Sequence, residues 1–304
     1  MPGGTPASLL KKRIYKKSIG VIMNIIDAIV SLISNPILNI SPEHSGNNRA
    51  TNAGDALEEY VKNLFADAIK DDEVEQNRKR QETFSYLGNK SNPPDAMLKH
   101  GDAIEIKKIE RADAALALNS SYPKHKLSSD CQMLSTACRN AEDDGWTEKD
   151  MIYVVGTIPN QSLTQLCMVY GMDYCASEEC YKRIKETIKS GVELIEGIDF
   201  SETTELGKIK KVDPLGITDL RVRGMWSIEN PLKVFSYEYQ PQADKKFNFM
   251  CIINEDKWNS FSNTDLLKTI EKSCSQLSIK DIQIKNPDNP AQLKKAKLIT
   301  FYKD

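Results

Sequence analysis

Apolar positions along the chain recur with two periods. Ile22, Ile25, Ile26, Ile29, Val30 and Ile33 fall at i, i+3, i+4 and i+7, which predicts an amphipathic helix over 23–34. Leu57, Tyr60, Val61, Leu64, Phe65 and Ala68 repeat that spacing and predict a second helix over 53–69. The polar stretch 41–52 between them is expected to be a loop. Residues 70–82 are charged, and 84–94 contain Gly88, Asn89, Asn92, Pro93 and Pro94, which break regular structure. Residues 103–109 alternate and are β-branched, so a strand is expected there, with 114–118 as a further candidate. Residues 131–142 read as helix. Residues 151–158 and 163–170 are apolar enough to be strands buried on both faces.

Beyond them, 177–195 reads as a helix with Ser177 at the N-cap and Glu178 and Glu179 in its first turn. Strands are expected at 220–226, 232–239 and 247–253, and a helix at 264–277. Residues 278–304 are mixed and Lys-rich. The pattern describes a strand-rich α/β or α+β protein with no internal repeat and no low-complexity tract.

Composition adds little by itself. The 304 residues carry 41 Lys and Arg against 43 Asp and Glu, a net charge of −2. Global charge therefore gives no hint of a nucleic-acid partner, although a basic cleft can coexist with an acidic exterior. Lys11, Lys12, Arg13, Lys16 and Lys17 precede the apolar run at 19–33, which superficially resembles a secretion signal. Asn24 and Asp27 interrupt the run and no small-residue cleavage site follows, so a packed helix is the better reading. Residues 1–22 are expected to be a flexible basic extension, with Met23 a possible natural start. No segment reaches the ~18 apolar residues of a membrane span. The seven cysteines include no C-x-x-C pair, and only His44, His100 and His125 accompany them, so a zinc site is poorly supported. Free thiols in a reducing cytoplasm are the plain reading.

One constellation carries chemistry. Pro94-Asp95 is followed, after nine residues, by Glu105-Ile106-Lys107. Glu105 and Lys107 share a strand face, while Ile104 and Ile106 face the core. A turn at His100-Gly101 would form a hairpin that brings Asp95 beside Glu105. Two carboxylates and an ammonium would then converge. That trio suits phosphodiester hydrolysis: Asp95, Glu105 and the Ile106 carbonyl could hold Mg²⁺, and Lys107 could orient water and stabilise developing charge. A solvated strand face is the alternative for Glu105 and Lys107. At ~100° per residue, Glu58 lies at the border of its helix's apolar face, while Glu59 points further away. Glu58 is thus a candidate third acid or an exposed helix residue. Asp102, in the turn before Glu105, rivals Asp95.

This arrangement resembles the PD-(D/E)XK nucleases, in which an acidic helix precedes a hairpin bearing the motif. More specifically, the chain resembles the NgoPII-type type II restriction endonucleases. The resemblance rests on Asn47-Asn48-Arg49-Ala50, Gly54-Asp55-Ala56-Leu57-Glu58-Glu59-Tyr60 and Phe84-Ser85-Tyr86-Leu87-Gly88-Asn89. It continues through Ser91-Asn92-Pro93-Pro94-Asp95-Ala96-Met97-Leu98 and Gly101-Asp102-Ala103-Ile104-Glu105-Ile106-Lys107-Lys108. Ala117-Leu118-Asn119-Ser120-Ser121, Tyr170-Gly171-Met172-Asp173-Tyr174-Cys175 and Val222-Arg223-Gly224-Met225-Trp226 complete it. It implies an α/β restriction-endonuclease-like core with a mixed central sheet flanked by helices. It also implies Asp95, Glu105 and Lys107 as catalytic set with Glu58 as the helix acid, and Mg²⁺-dependent cleavage of double-stranded DNA at a short palindrome, GGCC. The core is expected over 23–240, with 241–304 a C-terminal α/β extension packed on it.

DNA contacts are expected at Asn119, Ser120, Ser121, Lys124 and Lys126, whose short polar groups and lysines suit phosphates near the cut site. Lys208, Lys210, Lys211, Arg221 and Arg223 are the densest basic residues beyond the N-terminus. Arg221 and Arg223 could read guanine, or simply form a solvated strand face. A palindromic duplex suits a two-fold homodimer, and no membrane partner is expected. The alternatives are a repair or junction-resolving nuclease of the same fold, or a non-catalytic DNA-binding protein.

Overall fold

The computed structural model describes residues 22–40, 49–89, 92–195, 199–200 and 206–304. Its elements begin with α1 (Ile25–Ser34), α2 (Arg49–Phe65), α3 (Glu73–Thr83), β1 (Phe84–Asn89), β2 (Asn92–Leu98) and β3 (Ala103–Ile109). There follow β4 (Leu116–Asn119), β5 (Lys126–Ser128), α4 (Thr136–Arg139), β6 (Glu148–Thr157), β7 (Gln165–Tyr170), α5 (Gly171–Tyr174) and α6 (Glu178–Glu193). Next come β8 (Asp199–Phe200), β9 (Gly207–Lys210), β10 (Leu220–Val222), β11 (Trp226–Ile228) and α7 (Pro231–Val234). The chain ends with β12 (Phe247–Asn254), α8 (Glu255–Ser260), α9 (Thr264–Glu271), β13 (Leu277–Asn286) and β14 (Asn289–Lys303).

A nine-stranded mixed sheet runs β1-β2-β3-β6-β7-β12-β14-β13, with β5 paired to β6. The β3–β6 and β7–β12 pairs are parallel and the others antiparallel. Two apolar cores sandwich it. Ile104 and Ile106 of β3 join the core under α1 and α2, whereas Ala103 and Ile109 join the core on the opposite face. Glu105 and Lys107 fall on that second face by alternation. Asn24 and Asp27 form a reciprocal capping box at the start of α1, which is buried along almost its whole length. A separate three-stranded sheet runs β10-β9-β8, and β4 pairs with β11. Among the described residues, no helix is long and apolar enough to cross a membrane, and all seven cysteines are free.

Several elements differ from the sequence reading. The helix expected over 53–69 starts and ends four residues earlier, as Arg49–Phe65. The charged stretch after it forms α3, capped by Asp72, whose only buried residue is Thr83. It has no apolar stripe to detect and instead carries same-face ion pairs of Arg78 with Glu75 and Glu82. The Gly- and Pro-containing stretch supplies β1 and β2. Only Thr136–Arg139 of the helix expected over 131–142 is helical. The strand expected over 220–226 divides between two sheets as β10 and β11. The strand expected over 232–239 is the short helix α7 followed by turns. Asn230 Oδ1 accepts from the Leu232 N–H at 3.0 Å and Pro231 sits in the first turn, so capping overrides the strand-like alternation. The helix expected over 264–277 ends at Glu271. The Lys-rich tail is the long β13–β14 hairpin, so residues 247–303 supply three strands of the main sheet. The basic extension expected over 1–22 lies, apart from Ile22, outside the described residues, as does most of the loop expected over 41–52.

Candidate active site

The turn between β2 and β3 is tight: the Leu98 N–H donates to the Asp102 carbonyl at 3.0 Å and the Gly101 N–H to the Leu98 carbonyl at 3.1 Å. The pairs Ala96–Ile104 and Met97–Ala103 set the register of the hairpin. Carried one step further, that register puts Asp95 opposite Glu105. The Ile106 N–H donates to Asp95 Oδ2 at 2.6 Å. Lys107 Nζ pairs with Glu105 Oε1 at 2.5 Å. The hairpin expected from spacing therefore brings Asp95, Glu105 and Lys107 together. Pro93 and Pro94 lie inside β2 rather than in a turn before it, joined by a cis peptide.

Glu58 reaches this group from α2. Its side chain is 33% exposed and pairs with Lys62 at 3.3 Å. Glu59 is more exposed and pairs with Arg80 at 3.5 Å. Burial raises the pKa of Glu105, and the charges of Asp95 and Glu58 raise it further against the pull of Lys107. Burial likewise raises Glu58, with Asp95 adding to it and Lys62 opposing. For Lys107, burial opposes the charge, but Glu105, Asp95 and Glu58 outweigh it and hold the pKa above the ordinary lysine value. These acidic neighbours favour the charged form of Lys107, an ammonium able to stabilise negative charge.

Glu58, Asp95 and Glu105 thus gather negative charge in one place, which a divalent cation relieves. Among the described residues, no three His, Cys, Asp or Glu side chains converge closely enough to hold a metal unaided. Asp95 and Glu105 offer hard carboxylate oxygens, and the Ile106 backbone lies beside them through its N–H bond to Asp95. Such a sparse set leaves positions for water, as Mg²⁺ prefers.

Asp102, the rival acid, is buried and has both oxygens committed. Oδ2 accepts from the Tyr170 hydroxyl at 2.7 Å, and Oδ1 pairs with Lys257 at 2.7 Å. Lys257 also pairs with Asp150 at 2.6 Å.

The other predicted residues divide. Ser121 and Lys124 line the same cleft as Glu105, together with Tyr122 and Tyr153. Asn119 and Ser120 are exposed at the end of β4, and Asn119 is in the left-handed region with φ 52°. Lys126 is directed elsewhere: it pairs with Glu148 at 2.6 Å and lines a different cleft with Asp150 and Lys257. Arg221 and Arg223 line neither cleft; Arg221 is exposed and Arg223 lies just beyond the end of β10. Cross-strand pairing puts Arg221 directly opposite Lys208, so the two basic segments meet on one small sheet. Sequence reasoning did not single out Tyr153. It sits in an apolar strand, where nothing distinguishes a hydroxyl that serves the site from a core ring.

The NgoPII restriction endonuclease family model matches residues 23–285. The type II restriction enzyme NgoPII of Neisseria gonorrhoeae is 58% identical over 281 residues, covering 92% of this chain and all of that protein. A search of solved structures found no match. With the motif on a hairpin, an acidic helix beside it and this match along most of its length, the chain belongs to the NgoPII restriction endonuclease family of type II, site-specific endonucleases.

Proposed function

We propose that this restriction endonuclease hydrolyses both strands of double-stranded DNA at GGCC, as a homodimer, with Asp95, Glu105 and Lys107 as its catalytic set. The observation that carries the assignment is the placement of Asp95 opposite Glu105, with Lys107 on the same strand face. Asp95, Glu105 and the Ile106 carbonyl would hold Mg²⁺. The chemistry supplied by the bound ion is neutralisation of phosphate charge and a lowered pKa of the attacking water. Lys107, kept charged by its acidic neighbours, stabilises the negative charge that develops on the phosphate. Glu58 borders the site and adds to its negative potential.

Lys124 and Ser121 contact phosphate beside the cut, and Asn119 and Ser120 extend that contact along the backbone. The Lys208–Arg221 face, continued by Arg223, binds the duplex away from the cut. GGCC and the dimer rest on the family resemblance. A two-fold dimer gives each strand of a palindrome one active site. Digestion of a defined plasmid with Mg²⁺, followed by sequencing of the ends, tests the reading. Ends within GGCC, and loss of cutting in Asp95→Ala, Glu105→Ala and Lys107→Ala, are expected. Another recognition site, or full activity in Glu105→Ala, overturns it.

A further inference from the structure

We propose that Tyr153 is a positioning residue whose hydroxyl sets Lys124 beside Glu105 as the cation that binds the scissile phosphate. The inference rests on Glu105 belonging to the catalytic set. Tyr153 is 1% exposed, and it is the cross-strand partner of Glu105 in the parallel β3–β6 pair. Its hydroxyl accepts a hydrogen bond from the Lys124 N–H at 2.6 Å. A ring buried in a sheet core needs no hydroxyl for packing, and this one bonds the loop that follows β4 as well as the Cys175 side chain.

The same loop is seated from below. A Cβ at Gly171 would lie 2.3 Å from the Lys124 carbonyl oxygen and 2.5 Å from that of His125. The loop backbone therefore rests directly on the glycine. His125 Nδ1 lies 3.3 Å from the Cys175 carbonyl oxygen. Two contacts thus hold the backbone of residues 124 and 125 against β6 and the start of α5, and the His125 ring reaches the residue that ends α5.

The Lys124 side chain is placed as well. Its ammonium lies 3.9 Å from the centroid of the Tyr122 ring. That ring stacks on Tyr181 at 5.8 Å and meets Trp226 edge-on at 6.1 Å. Among the described residues, no carboxylate lies within 4.0 Å of the Lys124 ammonium, whose charge still acts on Glu178, whereas Lys107 and Lys108 each have one and Lys126 has two. A cation held over an aromatic face keeps its hydrogen-bond donors for a ligand. Glu105 and its acidic neighbours repel a phosphodiester, and Lys124, which lines the same cleft as Glu105, supplies an opposing attraction.

The test is a double-mutant cycle on the full chain. Single-turnover cleavage of plasmid DNA with Mg²⁺ and duplex binding in Ca²⁺ are measured for Tyr153→Phe, Lys124→Ala, Lys124→Arg and the double variant that combines Tyr153→Phe with Lys124→Ala. Lys124→Ala is expected to slow cleavage about 100-fold, as loss of one charge-stabilising donor does. Tyr153→Phe is expected to slow it about tenfold through misplacement of that donor. The double variant should be no slower than Lys124→Ala, and Lys124→Arg should recover part of the rate. A merely structural tyrosine would lower thermal stability and multiply its effect with that of Lys124→Ala. Wild-type cleavage by Tyr153→Phe, or multiplying effects, overturns the inference. If Tyr153→Phe fails to fold, Tyr122→Leu, which removes the ring beneath the ammonium, enters the same cycle with the same criteria. Glu105→Ala separates the two readings. If it still cuts, the catalytic assignment fails; if it is inert while Tyr153 and Lys124 act independently, only the positioning role fails.

Discussion

The Ile106 backbone N–H donates to Asp95 Oδ2 at 2.6 Å, one residue beyond Glu105. This bond ties an acid on β2 to the strand that carries the other two motif residues. It holds the carboxylate by backbone geometry, which a side-chain change elsewhere does not easily disturb. Asp102, only three residues before Glu105, is held by Tyr170 and Lys257 instead.

The two aspartates should therefore separate activity from stability. Asp95→Asn is expected to abolish cleavage while leaving thermal unfolding close to wild type. Asp102→Asn removes one of the two carboxylates that pair with Lys257 and should cost about 1.5–3 kcal/mol of stability, with cleavage retained in the folded fraction. Unfolding curves and single-turnover rates on the same preparations check both outcomes.

Cation binding should follow the same residues. Ca²⁺ added at neutral pH should raise the melting temperature, because a ligand that binds the folded state stabilises it by mass action. Asp95→Asn and Glu105→Gln should lose that rise, and Asp102→Asn should keep it. An equal rise in all variants would place the cation elsewhere.

The turn of the hairpin is pinned by a buried pair. Glu142 and Lys149 side chains are 6% and 4% exposed and lie 2.5 Å apart. Glu142 also accepts from the His100 N–H at 3.0 Å, and Lys149 donates to the Gly101 carbonyl at 2.9 Å. Burial pushes the Glu142 pKa up, but the hydrogen bond and charge of Lys149, helped by His100 and Ser85, bring it below the ordinary glutamate value of 4.5. A carboxyl whose folded pKa is lowered stabilises the fold above its unfolded pKa and loses that contribution as pH falls through the folded value. Glu142→Gln should cost about 3–5 kcal/mol at neutral pH and flatten the loss of stability on acidification. Denaturant unfolding at several pH values reads both effects.

Gly88 on β1 is a steric checkpoint for the site. A Cβ there would lie 2.1 Å from the Pro94 carbonyl oxygen, so the two backbones approach more closely than any side chain allows. Gly88→Ala should shift β2 just before Asp95, cost about 1–3 kcal/mol and slow cleavage. Unchanged rates would mean that β2 absorbs the shift without moving Asp95.

Salt dependence should report the remote basic sheet. Lys208 and Arg221 face each other across β9 and β10, a like-charge pair that destabilises an isolated sheet and suits a phosphate ligand. Replacing both with alanine should reduce the slope of log affinity against log salt by about 0.9 for each phosphate that is no longer neutralised. Duplex binding titrated across salt in Ca²⁺ measures this, and an unchanged slope removes the sheet from the DNA interface.

The juxtaposition of the proposed catalytic trio was legible in the chain because it is local. Asp95, Glu105 and Lys107 lie within one hairpin, so alternation and loop length suffice to put them on one face. The border position of Glu58 followed from helical periodicity for the same reason. Elements without an apolar period were not legible: α3 is solvent-exposed and charged, and the β13–β14 hairpin carries lysines on both faces, among them Lys294, which pairs with the buried Asp173. Capping at Asn230-Pro231 produced α7 where alternation suggested a strand. By itself, the sequence determined the motif, its strand and the family. Only the tertiary structure decided which acid of Asp95 and Asp102 stays available, which lysine of Lys124 and Lys126 enters the cleft, and that Lys208 meets Arg221. Those outcomes depend on partners far apart in the chain, such as Lys257 with Asp102 and Tyr153 with Lys124. Their encounter is set by sheet order and packing rather than by any local period.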